Sequence, residues 1–200
     1  MIAALTGSGL ATAAGLNAYI PFLLVAMLAR FTDVVDLPSS YHWVQSDWAI
    51  GVGVVLLLLE VVLDKIPVVD HVNDVVATAI RPTVGGLIFS ATSSARNLDN
   101  SAWMRHNPWV GVILGVVLAG VTHATKASAR PVVNVSTAGV GAPVVSTLED
   151  VASLGLSLIA IFAPVLVIFV LALMAGVIFM IGRWLVRRRR RKTSLQPVLT

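Results

Sequence analysis

Long apolar runs broken by short polar clusters set the pattern of this chain. Several runs are long enough and apolar enough to cross a bilayer. They divide the sequence into about six spans: Ile2–Arg30, Asp47–Leu63, Pro82–Ala95, Pro108–Thr125, a weak fifth at Val132–Leu148 and a long sixth at Val151–Val186. The sixth holds about 36 residues, about 54 Å if helical, against a hydrocarbon core of about 30 Å. Pro164 lies inside it, so a kink or a separate leading piece is expected there. The expected fold is an all-α, polytopic transmembrane helical bundle. It forms one domain over residues 1–182, with halves at about 1–96 and 108–182, followed by a basic cytoplasmic tail at 183–200.

Two segments make poor lipid-facing helices. One is "TGSGLATAAGLNAYIP", Thr6 to Pro21; the other is "NVSTAGVGAPVVS", Asn134 to Ser146. Small residues let helices approach closely, and Gly with Pro can break a helix at membrane depth. Gly7, Ala11 and Gly15, four apart, fit close packing. One interrupted segment in each half also fits the central site of a transporter. Both readings stand.

The densest charge cluster comes after the second span, in "DKIPVVDHVNDVVATAIRP". Wound as a helix, Asp70, Asn73, Asp74, Ala77 and Arg81 share one face, and Val69, Val72, Val75, Val76, Ala79 and Ile80 share the other. Pro67 suits the start of this helix, and Pro82 disfavours its continuation at Arg81. A helix resting on anionic lipid normally carries Lys and Arg on its polar face, and this one carries two aspartates. A wet interfacial linker is the weakest of three readings; in the others the charges form a structural network, or line a polar cavity, or both. Glu60 lies one turn before Asp64, so both carboxylates project from one side and must meet protein, water or a cation such as Lys65 or Arg81.

Composition sharpens the picture. Hydrophobic residues make up 57% and charged residues 12%, which fits an integral membrane protein. The formal charge of +4 comes from the block Arg187–Lys192, an anchor on the cytoplasmic side rather than a nucleic-acid site. There is no cysteine, which removes disulfides and thiolate metal sites. The N-terminus lacks a basic leader region, so a cleaved signal peptide is not expected. The loop with Asp33, Asp36 and Asp47 also holds Tyr41, Trp43 and Trp48, which suit an interface belt, and belongs outside; "ATKASARP" and the arginine block belong inside. That parity places both termini on the cytoplasmic side, with three spans per half in inverted orientation.

Other candidates are weaker. His123 fits a packing histidine or a proton carrier. Lys126 and Arg130 suit either phosphate binding or orientation of the chain. Asn17 suits a helix break or a substrate, and Glu149 and Asp150 suit capping of the sixth helix. Asp70 and Asp74 have a spacing that magnesium can use, but the further residues of a membrane phosphotransferase are missing. No catalytic signature occurs, so no enzyme activity, cofactor or metal site is expected.

The strings "GLATAAGLNAYIPFL", "LEVVLDKIPVVDHVNDVVATAIRPTVGGL" and "AGVTHATKASARPVVNVSTAGVGAPVVSTLED" resemble a small bacterial membrane-protein family known as domain of unknown function 4126. The likeness runs from about Gly9 to Pro164. It implies signature positions at Glu60, Asp64, Lys65, Pro67, Asp70, Asp74, Arg81 and Pro82. Asn17 stands where a basic residue is expected. The resemblance implies no activity.

The residues together lead to the expectation of a small secondary transporter or flippase for an anionic substrate such as a phosphate-bearing lipid. Arg81, Lys65, Asn17, Lys126 and Arg130 would bind the substrate. Glu60, Asp64, Asp70, Asp74, His71 and His123 would carry the coupling proton or cation. A non-catalytic assembly subunit and a magnesium-dependent lipid-modifying enzyme are the alternatives. Expected partners are membrane lipid and a second copy of the chain.

Overall fold

The computed structural model describes residues 1–64, 67–95, 102–137, 140–176, 179–180 and 183, with the backbone alone at 67–74, 102, 105, 132 and 134. Secondary structure among the described residues is entirely helical. The helices are α1 Ile2–Leu16, α2 Tyr19–Phe31, α3 Asp47–Leu63, α4 Pro67–Ser93, α5 Ala102–His106, α6 Pro108–Ser136 and α7 Gly141–Phe162, with 3-10 turns at Ser39–Gln45 and Pro164–Leu166. The chain divides into two units, Met1–Val167 and Ile168–Thr200. The first unit contains every helix from α1 to α7.

The helix at the centre of this unit is the one with the smallest side chains. α1 packs against α4, α6 and α7 at once, and ten of its residues are buried. Gly and Ala at most of these positions let three neighbours close in on one axis. A Cβ at Gly15 would stand 2.5 Å from the carbonyl oxygen of Ala119 on α6. α4 and α6 cross where Gly85 and Gly86 meet Gly115, and a Cβ on Gly115 would collide with the Gly85 backbone. Gly111, Gly115 and Ala119, four apart on α6, form the small-residue stripe of that crossing.

Near Glu60 and Arg81, α3 and α4 turn their charged groups inward and large apolar groups outward. On α3, Ala49, Gly53 and Glu60 are buried, while Val52, Val55, Leu58, Leu59 and Val62 are exposed. On α4, Ala77 and Arg81 are buried, and Val75 and Val76 are exposed. Ala77 and Arg81, the two positions of the expected polar face whose side chains are described, are buried. Water would penalise such surfaces; hydrocarbon favours them. Three helical stretches, Val75–Ser93, Pro108–Pro131 and Gly141–Phe162, are long and apolar enough to cross a membrane. The pair Ser39–Gln45 and Asp47–Leu63, bent by 53°, would make a fourth. Tyr41 of that bend donates to Ser90 Oγ at 2.7 Å, Ser90 donates to the Pro108 carbonyl at 2.9 Å, and Trp43 stacks on Trp48.

Several boundaries differ from the sequence reading. The charged helix and the third span are one continuous helix, α4, running through Pro82. Proline removes one helical hydrogen bond, but the packing of α4 against α1 and α6 outweighs that loss. α6 likewise runs through Pro131, so the expected loop "ATKASARP" is helix. The turn between α6 and α7 falls within the expected fifth span, Val132–Leu148. The expected break near Pro164 is present: α7 stops at Phe162, and the apolar helical stretch Pro164–Gly176 begins anew. The block Arg187–Lys192 lies outside the described residues.

The crossing of α4 and α6 yields a paired expectation. Gly115→Val should cost about 3 kcal/mol or more by overpacking. Gly51→Ala, with open space around it, should be neutral or stabilising by about 0.5–1 kcal/mol. Thermal unfolding of the detergent-purified variants reads both.

Candidate functional site

A functional site takes shape where α1 breaks. Asn17 leaves the helix in an extended conformation, with φ −144° and ψ 122°. Its side-chain oxygen accepts the N–H groups of Tyr19 at 3.0 Å and Ile20 at 3.2 Å, which caps the start of α2. Pro21, in the first turn of α2, needs no hydrogen bond there. Asn17 Nδ2 donates to Asp150 at 2.9 Å, and Ser153 Oγ donates to the carbonyls of Ala13 and Asn17 at 3.0 and 3.3 Å. The break is buried and its polar groups are held by α7.

Around this break lie three acids and three bases. Glu60 and Asp64 come from the end of α3, Arg81 from α4, Lys126 and Arg130 from α6 and Glu149 from α7. Arg81 is 0% exposed, Asp64 2%, Glu60 5%, Arg130 6% and Lys126 7%. Arg81 Nη2 lies 2.7 Å from Glu60 Oε1 and 4.0 Å from Asp64 Oδ2. Arg130 Nη2 bridges Asp64 Oδ2 at 3.0 Å and Glu149 Oε2 at 2.7 Å. Lys126 Nζ donates to the Leu16 carbonyl at 2.8 Å, pairs with Glu149 Oε2 at 2.9 Å and lies 3.9 Å from Asp64 Oδ2. Each of these six groups meets an opposite charge, which offsets the cost of burying it, and Asp150 adds a carboxylate held by Asn17.

His123 joins the cluster with a fixed tautomer. A guanidinium only donates, so Arg81 Nη1, 3.0 Å away, requires a bare Nδ1 on the ring. The proton then sits on Nε2 and is donated to Thr78 Oγ1 at 3.0 Å. Beside the ion pair of Glu60 and Arg81 is a cavity of about 160 Å³, lined by Tyr19, Leu56, Leu59, Glu60, Val76 and Arg81 among others. Its apolar lining includes Leu59 and Val76, which are exposed on the outer surface.

The structure thus brings together Asn17, Glu60, Asp64, Arg81, His123, Lys126 and Arg130 from the residues the sequence marked. Lys65 lies outside the described residues; Asp70, His71 and Asp74 belong to α4, but their side chains lie outside the description. Two assignments need correction. Lys126 and Arg130 are buried in ion pairs rather than placed in a loop, because α6 does not end before them. Glu149 and Asp150 do not cap a helix start, because α7 begins at Gly141 and carries both within it. A signal for them existed: Ser146, Glu149, Asp150, Ser153 and Ser157 recur at three- and four-residue spacing in an apolar segment, and the three serines are buried. Thr78 gave no comparable signal.

Inward polar groups, apolar outer faces and a buried charge network define a membrane-embedded helical protein. The chain belongs to the family described as "Domain of unknown function (DUF4126)", whose model matches residues 4–184. No curated protein and no solved structure matches it.

Removing one partner of a buried ion pair costs about 3–5 kcal/mol, whereas replacing both by apolar groups is often close to neutral. Arg81→Met should therefore destabilise strongly, and Arg81→Met with Glu60→Leu should recover most of the loss. The double variant keeps Asp64 and Glu149 balanced by Lys126 and Arg130. Equal losses in the single and double variants, read by thermal unfolding, would contradict the pairing.

Proposed function

We propose that this protein is a small secondary transporter or flippase in which an anionic substrate and a carboxylate compete for Arg81. The observation that carries the reading is a network of paired charges, buried at a helix break and adjoining a cavity between α2, α3 and α4. Broken helices meeting at ionisable groups are the usual form of a carrier's central site. At rest Glu60 occupies the place on Arg81 that a substrate anion would take. A proton reaching Glu60 neutralises its carboxylate and weakens its hold on Nη2. The guanidinium is then open to a phosphate or carboxylate head group. Oε2 of Glu60 has no hydrogen-bond partner among the described residues, so it is the oxygen available for that proton. Proton and anion are thus bound together, and the anion alone is refused.

Exposed apolar side chains at the cavity favour a substrate that arrives from the lipid, with an apolar tail beside Leu59 and Val76 and its head toward Arg81. In this reading the bundle crosses a bacterial inner membrane six times. The first half contributes α1 with α2, then α3 and α4; the second contributes α6, α7 and the stretch after Pro164. The two halves are inverted, and both termini are cytoplasmic. Asp70, His71 and Asp74 for the coupling ion, and Lys65 for the substrate, remain the further candidates that the sequence offers. Lys126 and Arg130 hold the network closed, so substrate contact falls first to Arg81.

Proteoliposomes containing a fluorescent phosphatidic acid provide the test, with translocation read by dithionite quenching. An imposed proton gradient should accelerate translocation at least tenfold. Arg81→Gln should abolish it, and Glu60→Gln should leave a slower movement indifferent to the gradient. No translocation by well-folded protein would sink the proposal and favour the accessory-subunit alternative.

A further inference from the structure

The ammonium of Lys126 sits in a cage of oxygens. Leu16 closes the last turn of α1, and its carbonyl accepts from Nζ at 2.8 Å. Glu149 Oε2 lies at 2.9 Å and Asp64 Oδ2 at 3.9 Å. The oxygens come from three different helices: α1, α7 and the end of α3. The end of α1 adds the negative pole of its dipole. A broken helix that offers its terminal carbonyls beside carboxylates is the arrangement that carriers use to hold a free monovalent cation. Here the positive charge arrives on a side chain, whose stem runs from α6 and is almost wholly buried.

We propose that Lys126 is a tethered cation filling a monovalent-cation site at the end of α1, and that the site takes sodium or another small monovalent cation when the ammonium is removed. The charge count supports this. Removing Lys126 takes one buried positive charge from beside Glu149 and Asp64 and leaves the cluster one charge more negative than in the wild type. A hard monovalent cation with oxygen ligands restores that charge. Two carboxylates and one carbonyl suit one positive charge better than two. Cation occupancy of the cluster is read by binding, so it stands whether or not the protein transports.

The test compares wild type and Lys126→Ala, purified in detergent, by thermal unfolding in sodium, potassium, lithium or choline chloride at equal ionic strength. Wild type should be indifferent to the choice of cation. The variant should unfold earlier in choline and regain about 5 °C or more in one of the small cations at saturating concentration. Methylammonium, which restores the missing head group, should also stabilise the variant and not the wild type. Adding Glu149→Gln to Lys126→Ala removes the excess charge and should abolish the cation response. If the single variant folds poorly in choline, its folded yield after extraction in sodium against choline gives the same reading. A variant that responds equally to all salts, or that fails to fold in each of them, overturns the proposal.

Discussion

Arg81 must be paired, and much of the structure depends on that requirement. Its guanidinium is fully buried in a helix whose opposite face is valine and isoleucine. A guanidinium offers donors and no acceptor, so the groups around it must accept. Moving an ion of this size from water into the interior costs several kcal/mol even after relaxation. Glu60 therefore has to stand where it does on α3, and the His123 ring has to present a bare nitrogen. Glu60 in turn brings Asp64, one turn later and on the same side. Asp64 then needs Arg130, and Arg130 needs Glu149. The charges form a chain of obligations from α4 to α7.

Those obligations can be met only if the helices come close enough. A side chain reaches a few ångströms, and the carboxylates and cations start from different helices or their ends. The small-residue surfaces of α1, α4 and α6 make the distances short. Gly15 brings α1 onto α6, and Gly85 with Gly115 brings α4 onto α6. Between helices in lipid there is little hydrophobic driving force, so close contact and polar pairing must supply the cohesion. The glycines and the charges are thus one device: the first sets the spacing and the second uses it.

Much of this was legible in the chain. The helical character, the placement of Glu60 with Asp64 and the inward turn of Arg81 come from local pattern, because each depends on residues within a turn or two of one another; for Thr6 to Pro21 that pattern allowed a break or plain close packing alike. The limits of the helices were less legible. Pro82 and Pro131 look like stops, and both are absorbed where packing against a neighbouring helix outweighs one lost hydrogen bond. Lys126 and Arg130 read as loop charges because a positive pair beside an apolar run usually is one. Their actual partners are distant in sequence: Leu16 for Lys126, and Asp64 for Arg130. No local rule could pair them. Glu149 was misread for a related reason, since misplacing the start of α7 moved it from the interior of a helix to its edge.

The cluster has two ends, and one atom joins them. Asp64 Oδ2 lies 3.0 Å from Arg130, 3.9 Å from Lys126 and 4.0 Å from Arg81. Glu60 and the cavity lie at the Arg81 end; the break of α1 lies at the Lys126 end. In a low-dielectric site, charges at these distances interact strongly. If Glu60 is neutralised, Arg81 loses its nearest anion and turns more strongly to Asp64, which then has less to offer Lys126 and Arg130. The hold of Lys126 on the last carbonyl of α1 is adjusted by the same step. A change of charge beside the cavity is therefore felt at the helix break through one shared carboxylate, without a rearrangement of the glycine-packed core.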